Sequence, residues 1–305
     1  MAALSPPLSK RIYIAALIGL AAAVVNFEGF KPDSDGVDFL WSARAAREII
    51  RGEDPYKHAP RRDMIPYPLT AAFVAMPFAW LPYPLGGAIF IGISSGLAAF
   101  GLTREGVHRS FSFISFPYFL ALSTTQWSPL FVALRFFPLL LPAALAKPNA
   151  ALPVALLSVS RKGVVISAGL LCATLAVYPA WPIKWVSQLK PFVSYIPLWT
   201  LPGPLILLVL FRWRQKESWL LLLSAVLPSH APYDAFILWL IPRTAQEVLF
   251  TSLISWGLIV CRFMLVDQMH IRTLGALVVL FCYLPMVAVL LLRGSKAKGA
   301  NSTGL

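Results

Sequence analysis

The chain is predicted to be an all-α polytopic membrane protein, on three observations: it has few charges, its apolar residues come in long runs, and its Lys and Arg gather in the short connections between those runs. The 305 residues are 58% hydrophobic and 13% charged, with a mean hydropathy of +0.72. Soluble domains carry about 25% charged residues. So few charges do not make a water-covered surface, so lipid must cover much of this one.

The formal charge of +13 would suggest nucleic acid as the partner of a soluble protein. Here the basic residues lie between apolar runs, where the positive-inside rule places them on the cytoplasmic side. No nucleic-acid partner is expected. A few of these cations remain candidates for binding a phosphate-bearing lipid. Cys172, Cys261 and Cys282 all lie inside apolar runs, without CxxC spacing or a zinc signature, and read as structural thiols.

The first element follows Lys10-Arg11. An apolar run over Arg11–Phe30 continues without a clear cleavage motif, which predicts a retained first span with a cytoplasmic N-terminus. The long polar stretch Lys31–Pro66 comes next. It balances Lys31, Arg44, Arg47, Arg51, Lys57, Arg61 and Arg62 against Asp33, Asp35, Asp38, Glu48, Glu53, Asp54 and Asp63. After one crossing this charge-balanced loop falls outside the cell membrane. Within it, Asp38–Arg51 reads as an amphipathic helix, with Phe39, Ala43, Ala46 and Ile50 on one face and Arg44, Arg47, Glu48 and Arg51 on the other. Gly52 ends it and Asp54-Pro55 forbids its continuation. Such a helix is expected to lie on the membrane surface beside the first span.

Residues 67–84 are apolar but broken by Pro68, Pro77, Pro82 and Pro84, which predicts a re-entrant or interfacial segment. Leu85–Leu102 reads as a full span, followed by a basic cytoplasmic loop with Arg104, His108 and Arg109. The later apolar runs, from Phe111–Thr125 to Thr273–Leu292, are mostly shorter than the roughly 20 residues of a straight span. Arg161-Lys162 and Arg212–Lys216 mark further cytoplasmic turns, and Lys296 with Lys298 puts the C-terminus inside. About ten to twelve crossings of a single multi-span domain, 1–305, satisfy these marks. Backbone breaks at membrane depth are tolerated only inside the protein or beside a wet cavity, and the chain has 26 prolines.

Ionisable and polar groups in such a setting are functional candidates by default. On this topology Asp38, Tyr56, Tyr67, Gln126, Lys147, His230 and Asp234 fall on the outer side. Asp38 is either a helix N-cap or a general base for an acceptor hydroxyl, with Asp33 and Asp35 as competitors. Tyr56 follows the Gly52–Pro55 turn and is either a headgroup-level aromatic or a site residue. Lys147, before Pro148, is a loop lysine or a clamp on a phosphate. Arg135, within an apolar run, snorkels, marks a turn, or faces a cavity. His230, flanked by Pro228 and Pro232 and close to Asp234, is structural or orients a substrate. The sequence contains no P-loop, dinucleotide fingerprint, HExxH or Ser-His-Asp arrangement.

The segment DFLWSARAAREIIRGEDPY (Asp38–Tyr56) resembles the first outer loop of the polyprenyl-phosphate-mannose-dependent membrane glycosyltransferases, glycosyltransferase family 87. Four later pieces follow in the family's order: Tyr67–Pro82, Thr124–Leu130, Leu145–Pro153 and Leu227–Phe236. The likeness is good over the first half of the chain and looser over the second. It departs at Tyr67-Pro68-Leu69, which has one proline fewer than the family's unit, and in chain length.

The resemblance implies a GT-C-like bundle and transfer of a sugar, commonly mannose, from a polyprenyl-phosphate donor to a lipid or glycan acceptor on the extracytoplasmic face. It implies Asp38 as catalytic base, and Lys147 and His230 as partners of the donor phosphate. Tyr56, Tyr67, Gln126 and Asp234 are expected to line the substrate. A single inverting displacement needs no metal or other cofactor if lysine and histidine meet the phosphate. A transporter or flippase for a lipid-linked sugar or small solute, or a non-catalytic shortened relative, accounts for the spans and broken helices equally. The transporter reading does not explain the long charge-balanced outer loop.

Overall fold

The computed structural model describes residues 6–29, 38–57, 66–189, 194–259 and 271–293. Among them the regular structure is helical, without strands, and Tyr195 and Ser229 form an isolated antiparallel bridge. Three helices are long and apolar enough to cross a membrane. They are α1 (Leu8–Gly29), α4 (Tyr83–Leu102) with its extension to Glu105, and the continuous C-terminal helix Ile271–Arg293. A fourth crossing is available if α8 (Arg161–Val177) and α9 (Trp181–Ser187), bent 89° from each other, count as one span.

The sequence predicts about ten to twelve crossings; the described residues hold three or four helices of spanning length. The reason is visible at the prolines. The remaining apolar chain is cut into α2 (Asp38–Ile50), α3 (Leu69–Ala75), α5 (Phe116–Ser123), α6 (Ser128–Leu134), α7 (Pro148–Leu157), α10 (Lys216–Val226) and α11 (Ala245–Ile254). Proline occupies the first turn of α4, α6, α7 and α9, where its missing N–H costs nothing. Tight 3-10 coils such as Pro138–Leu145 and Pro232–Leu240 fill the gaps between helices.

The sequence reading treats 1–305 as one domain, and the chain's own contacts gather it into two compact units. One contains residues 1–107 and 120–193, the other 108–119 and 194–305.

In the first unit, α1 turns Ala15, Gly19, Ala22 and Asn26 inward at helical spacing and leaves Ile12, Leu17, Leu20, Val24 and Val25 exposed, as a lipid-facing helix should. Its stripe of small residues meets Gly92 and Gly96 of α4. A Cβ added at Gly19 would stand 2.8 Å from the Gly92 carbonyl oxygen, and one at Gly92 would stand 2.9 Å from that of Gly19. This close approach of two backbones is the usual way apolar helices associate in lipid, where burial of apolar surface drives nothing.

Helix α2 forms as predicted and ends at Gly52, whose φ of 74° needs a residue without Cβ. Its apolar side is covered largely by protein. Phe39, Trp41, Ser42, Ala43, Ala45 and Ala46 are all buried against protein, and the helix packs on α3 and α4. Phe39 stacks on Phe90 of α4 at 4.3 Å, and Arg47 crosses to the α3–α4 turn. There its guanidinium donates to the carbonyls of Ala79 and Leu81 and lies 3.9 Å from the centre of the Tyr83 ring. Of the predicted apolar face, Phe39, Ala43 and Ala46 are taken up by the core and Ile50 stays exposed.

In the second unit, the C-terminal helix changes its winding partway along. The α12 segment (Ile271–Val278) passes through a wider π turn, Val279–Tyr283, into α13 (Leu284–Arg293). The Leu284 amide bonds back five residues to Val279, next to Pro285, which has no amide to give. At the far end Arg293 pairs with Glu247 at 2.7 Å, while Thr244 and Glu247 cap α11 reciprocally.

Candidate functional site

The site residues expected from the sequence divide between the two units. Asp38, Tyr56, Tyr67, Gln126 and Lys147 belong to the first, His230 and Asp234 to the second. Asp38 opens α2 as predicted, but its side chain lies outside the described residues, as do Asp33 and Asp35.

The other four first-unit residues are brought together. Tyr56, Tyr67, Gln126 and Lys147 are all buried, at 4%, 3%, 0% and 4% exposure. They come from four different sequence motifs and form a connected chain. The Tyr56 hydroxyl donates to the Tyr67 carbonyl at 2.7 Å. The Lys147 ammonium lies 6.0 Å from the centre of the Tyr67 ring, at the outer limit of a cation–π contact, and donates to Gln126 Oε1 at 3.4 Å. Burial pushes the Tyr56 phenol well above its usual range, so it stays protonated and a donor.

Each member is placed by local structure. Lys147 stands at the N-terminus of α7, where Pro148 starts the helix and the Lys147 carbonyl accepts from Ala150 and Ala151. Two residues earlier, the Leu145 carbonyl takes the Thr70 hydroxyl of α3 at 2.6 Å. Gln126 follows Thr125, whose backbone is in the left-handed region at φ 49°.

Aromatic rings wall the group. Trp127 lies 6.4 Å from Tyr67, and Trp41 lies 5.5 Å from Tyr56 and 6.1 Å from Tyr67. Trp41 of the first loop therefore builds part of this wall, with Phe39 behind Trp127 at 6.2 Å, a role the sequence reading did not assign. Each such pair is worth about 0.5–1.5 kcal/mol beyond its area.

The outer edge of the group is closed by α9, which sequence reasoning missed. Lys184 pairs with Asp54 and lies 5.1 Å from the centre of the Tyr178 ring, which stacks on Tyr56. Trp185 Nε1 donates to the Pro66 carbonyl at 3.0 Å and Gln188 Nε2 to that of Tyr56 at 2.8 Å. Burial opposes ionisation of Asp54, but hydrogen bonds from Lys184 and from the Tyr56 amide outweigh it and hold the carboxyl below its usual range. The Asp54-Pro55-Tyr56 turn held a usable signal, since Asp bonds the amide two residues on in such turns. Lys184, in a run of tryptophans, offered none.

Arg135 is excluded from this group. It is an exposed residue at the C-terminus of α6, in the turn that one of its three sequence readings expected. In the second unit His230 is half-buried, and Asp234 is 7% exposed in the first turn of the Pro232–Leu240 coil. Ser229, beside His230, exchanges backbone hydrogen bonds with Tyr195 at 2.9 and 3.0 Å. Among the described residues no three His, Cys, Asp or Glu side chains gather as a metal site would require.

The first-unit arrangement places one ammonium, held by an amide, inside an aromatic shell that limits water. That setting strengthens electrostatic attraction for an anion while apolar walls accept hydrocarbon. Comparison with known protein families, with curated proteins and with solved structures finds no match for the chain.

Proposed function

We propose that the chain is a membrane glycosyltransferase of GT-C architecture, transferring a sugar, of which mannose is the first candidate, from a polyprenyl-phosphate donor to a lipid or glycan acceptor on the outer face of the cell membrane. One observation carries this reading: a buried cation, Lys147, is joined to Tyr56, Tyr67 and Gln126, each from a different one of the ordered motifs that resemble glycosyltransferase family 87.

The chemistry follows from the groups present. The donor's phosphate is the leaving group, and its charge grows as the bond from phosphate oxygen to sugar carbon breaks. An ammonium at that oxygen stabilises the developing charge more than the ground state, so it acts on the rate. The acceptor hydroxyl attacks the same carbon from the opposite side and gives its proton to a carboxylate, the role assigned to Asp38 at the head of α2. One bond forms, one breaks, and the configuration at the sugar carbon inverts. Tyr67 and Trp127 offer the flat apolar surfaces against which sugar rings and isoprene units pack.

The test is transfer from a radiolabelled polyprenyl-phosphate sugar by the purified protein, with a panel of lipid and glycan acceptors. Lys147→Ala is expected to lower kcat/KM by roughly a hundredfold or more, the loss of one buried charge-assisted contact to the leaving group. Asp38→Asn is expected to abolish turnover while donor binding persists. Transfer at wild-type rate in both variants would refute the assignment. Solute counterflow in proteoliposomes without any transfer would establish the transporter reading instead.

A further inference from the structure

Helix α1 carries an amide where a lipid-facing helix has least reason for one. Asn26 is 3% exposed, on a helix whose neighbouring residues Val24, Val25 and Phe27 are exposed and apolar. A polar group at that depth is costly unless bonded. Its Nδ2 donates to the Leu122 carbonyl at 2.7 Å and to Thr125 Oγ1 at 2.9 Å.

Thr125 is the non-glycine residue with positive φ among those described. A β-branched residue resists that conformation, so surrounding contacts must hold it there. Asn26 supplies the contact to its side chain. Helix α4 leaves room for the pair: a Cβ at Gly87 would already touch Thr125 Cγ2 at 3.4 Å and Asn26 Oδ1 at 3.6 Å. The residue after the turn is Gln126, the one whose Oε1 receives the Lys147 ammonium.

We propose that Asn26 is a positioning residue for the Lys147 site: from the first membrane helix it holds Thr125 in the left-handed turn that presents the Gln126 amide to the ammonium. The role of Lys147 as a phosphate cation, on which the functional consequence rests, is the reading given above. The cation is thereby fixed in part from the first membrane helix, through Thr125 and Gln126. Loosening the turn lets Gln126 and Lys147 drift, so the anion meets a displaced charge.

The experiment has two readouts. Binding of radiolabelled farnesyl phosphate to the full chain in detergent micelles is measured by equilibrium dialysis. The rate at which an amine-reactive ester modifies Lys147 is measured by peptide mass spectrometry without any ligand. N26A is expected to weaken binding about tenfold, the effect of one buried hydrogen bond, and to speed modification of Lys147. T125V, which keeps the side-chain shape and removes the acceptor for Asn26, is expected to do the same, and serves if N26A does not fold. T125G is expected to behave like wild type, because glycine enters the left-handed region without being held. The N26A/T125G double variant is therefore expected to recover both readouts, a rescue that a general packing defect would not show.

Unchanged binding and unchanged Lys147 modification in N26A and T125V would overturn the proposal. So would failure of the double variant to recover. If the wild type does not bind farnesyl phosphate at all, the phosphate reading of Lys147 falls, and the modification rates alone decide the role of Asn26.

Discussion

Single side chains in this protein act through what they hold. Asp54 is the clearest case. Its carboxylate ties the turn before Tyr56 to Lys184 of α9, and hydrogen bonding keeps its pKa below the usual value despite partial burial. A depressed carboxyl contributes stability that is complete above the unfolded pKa of about 3.9 and disappears as pH falls through the lower folded value. The two side chains are 27% and 43% exposed, so solvent screening limits the pair to roughly 0.5–1 kcal/mol. Asp54→Asn should therefore cost about that much in denaturant unfolding in micelles at pH 7 and at pH 5, and progressively less as the pH falls through the folded carboxyl's range. A cost that does not change with pH would mean that shape and neutral hydrogen bonding, rather than charge, hold the turn. At this scale the sequence showed the candidates but not their partners. Tyr56, Tyr67, Gln126 and Lys147 could be named from polar residues interrupting apolar runs. Asn26 and Lys184 could not, because a lone amide in a span and a lysine among tryptophans acquire meaning only through contacts 99 and 130 residues away in sequence.

Helices bring those contacts about, and their legibility depended on which partner covers each face. The period of α2 and its glycine stop were readable because both are local. Its destination was not, since an apolar stripe looks the same whether lipid or Phe90 covers it. The first span and α4 were readable as long apolar runs, and their small residues mark how they meet. Gly19→Ala puts a methyl 2.8 Å from a backbone oxygen that cannot move aside as a side chain would. We expect this change to push α1 from α4 at a cost of roughly 1–3 kcal/mol, seen as earlier unfolding in an SDS titration. Gly92→Ala meets the reciprocal carbonyl and should cost as much. Gly169→Ala, on α8 with nothing within 4 Å, is the control and should be neutral or slightly stabilising, as alanine is the better helix former. Equal behaviour of all three would show that the two helices slide freely on each other. Because the α1–α4 contact also carries Asn26 to Thr125, Gly19→Ala should loosen the Lys147 site as well, whereas Gly169→Ala should not.

For the whole molecule the decisive matter is which face of the membrane the first unit presents its polar group to. Its two long helices run antiparallel. Arg11, near the start of α1, donates to the Phe100 carbonyl near the end of α4, whereas Asn26, near the end of α1, lies beside Gly87 at the start of α4. Lys10, Arg11 and Arg104 thus share one end of the pair, and Thr125 and Gln126 join the other through Asn26. A cluster of cations flanking spans stays on the cytoplasmic side. On that rule we expect the Lys147 end of the pair to face outward, the side proposed above for a polyprenyl-phosphate donor. Single cysteines at Gly36 and at Glu105, in a chain whose Cys172, Cys261 and Cys282 are serine, read this directly with a membrane-impermeant maleimide. The Gly36 position should be labelled on intact cells and the Glu105 position only after permeabilisation. The reverse pattern would turn the site toward the cytoplasm and remove the outer-face donor from consideration while leaving the Lys147 geometry intact. Labelling of both positions from the same side would be more damaging, because it would mean that α1 and α4 do not both cross. The antiparallel pair would then lose its membrane, and Asn26 its reason to be buried.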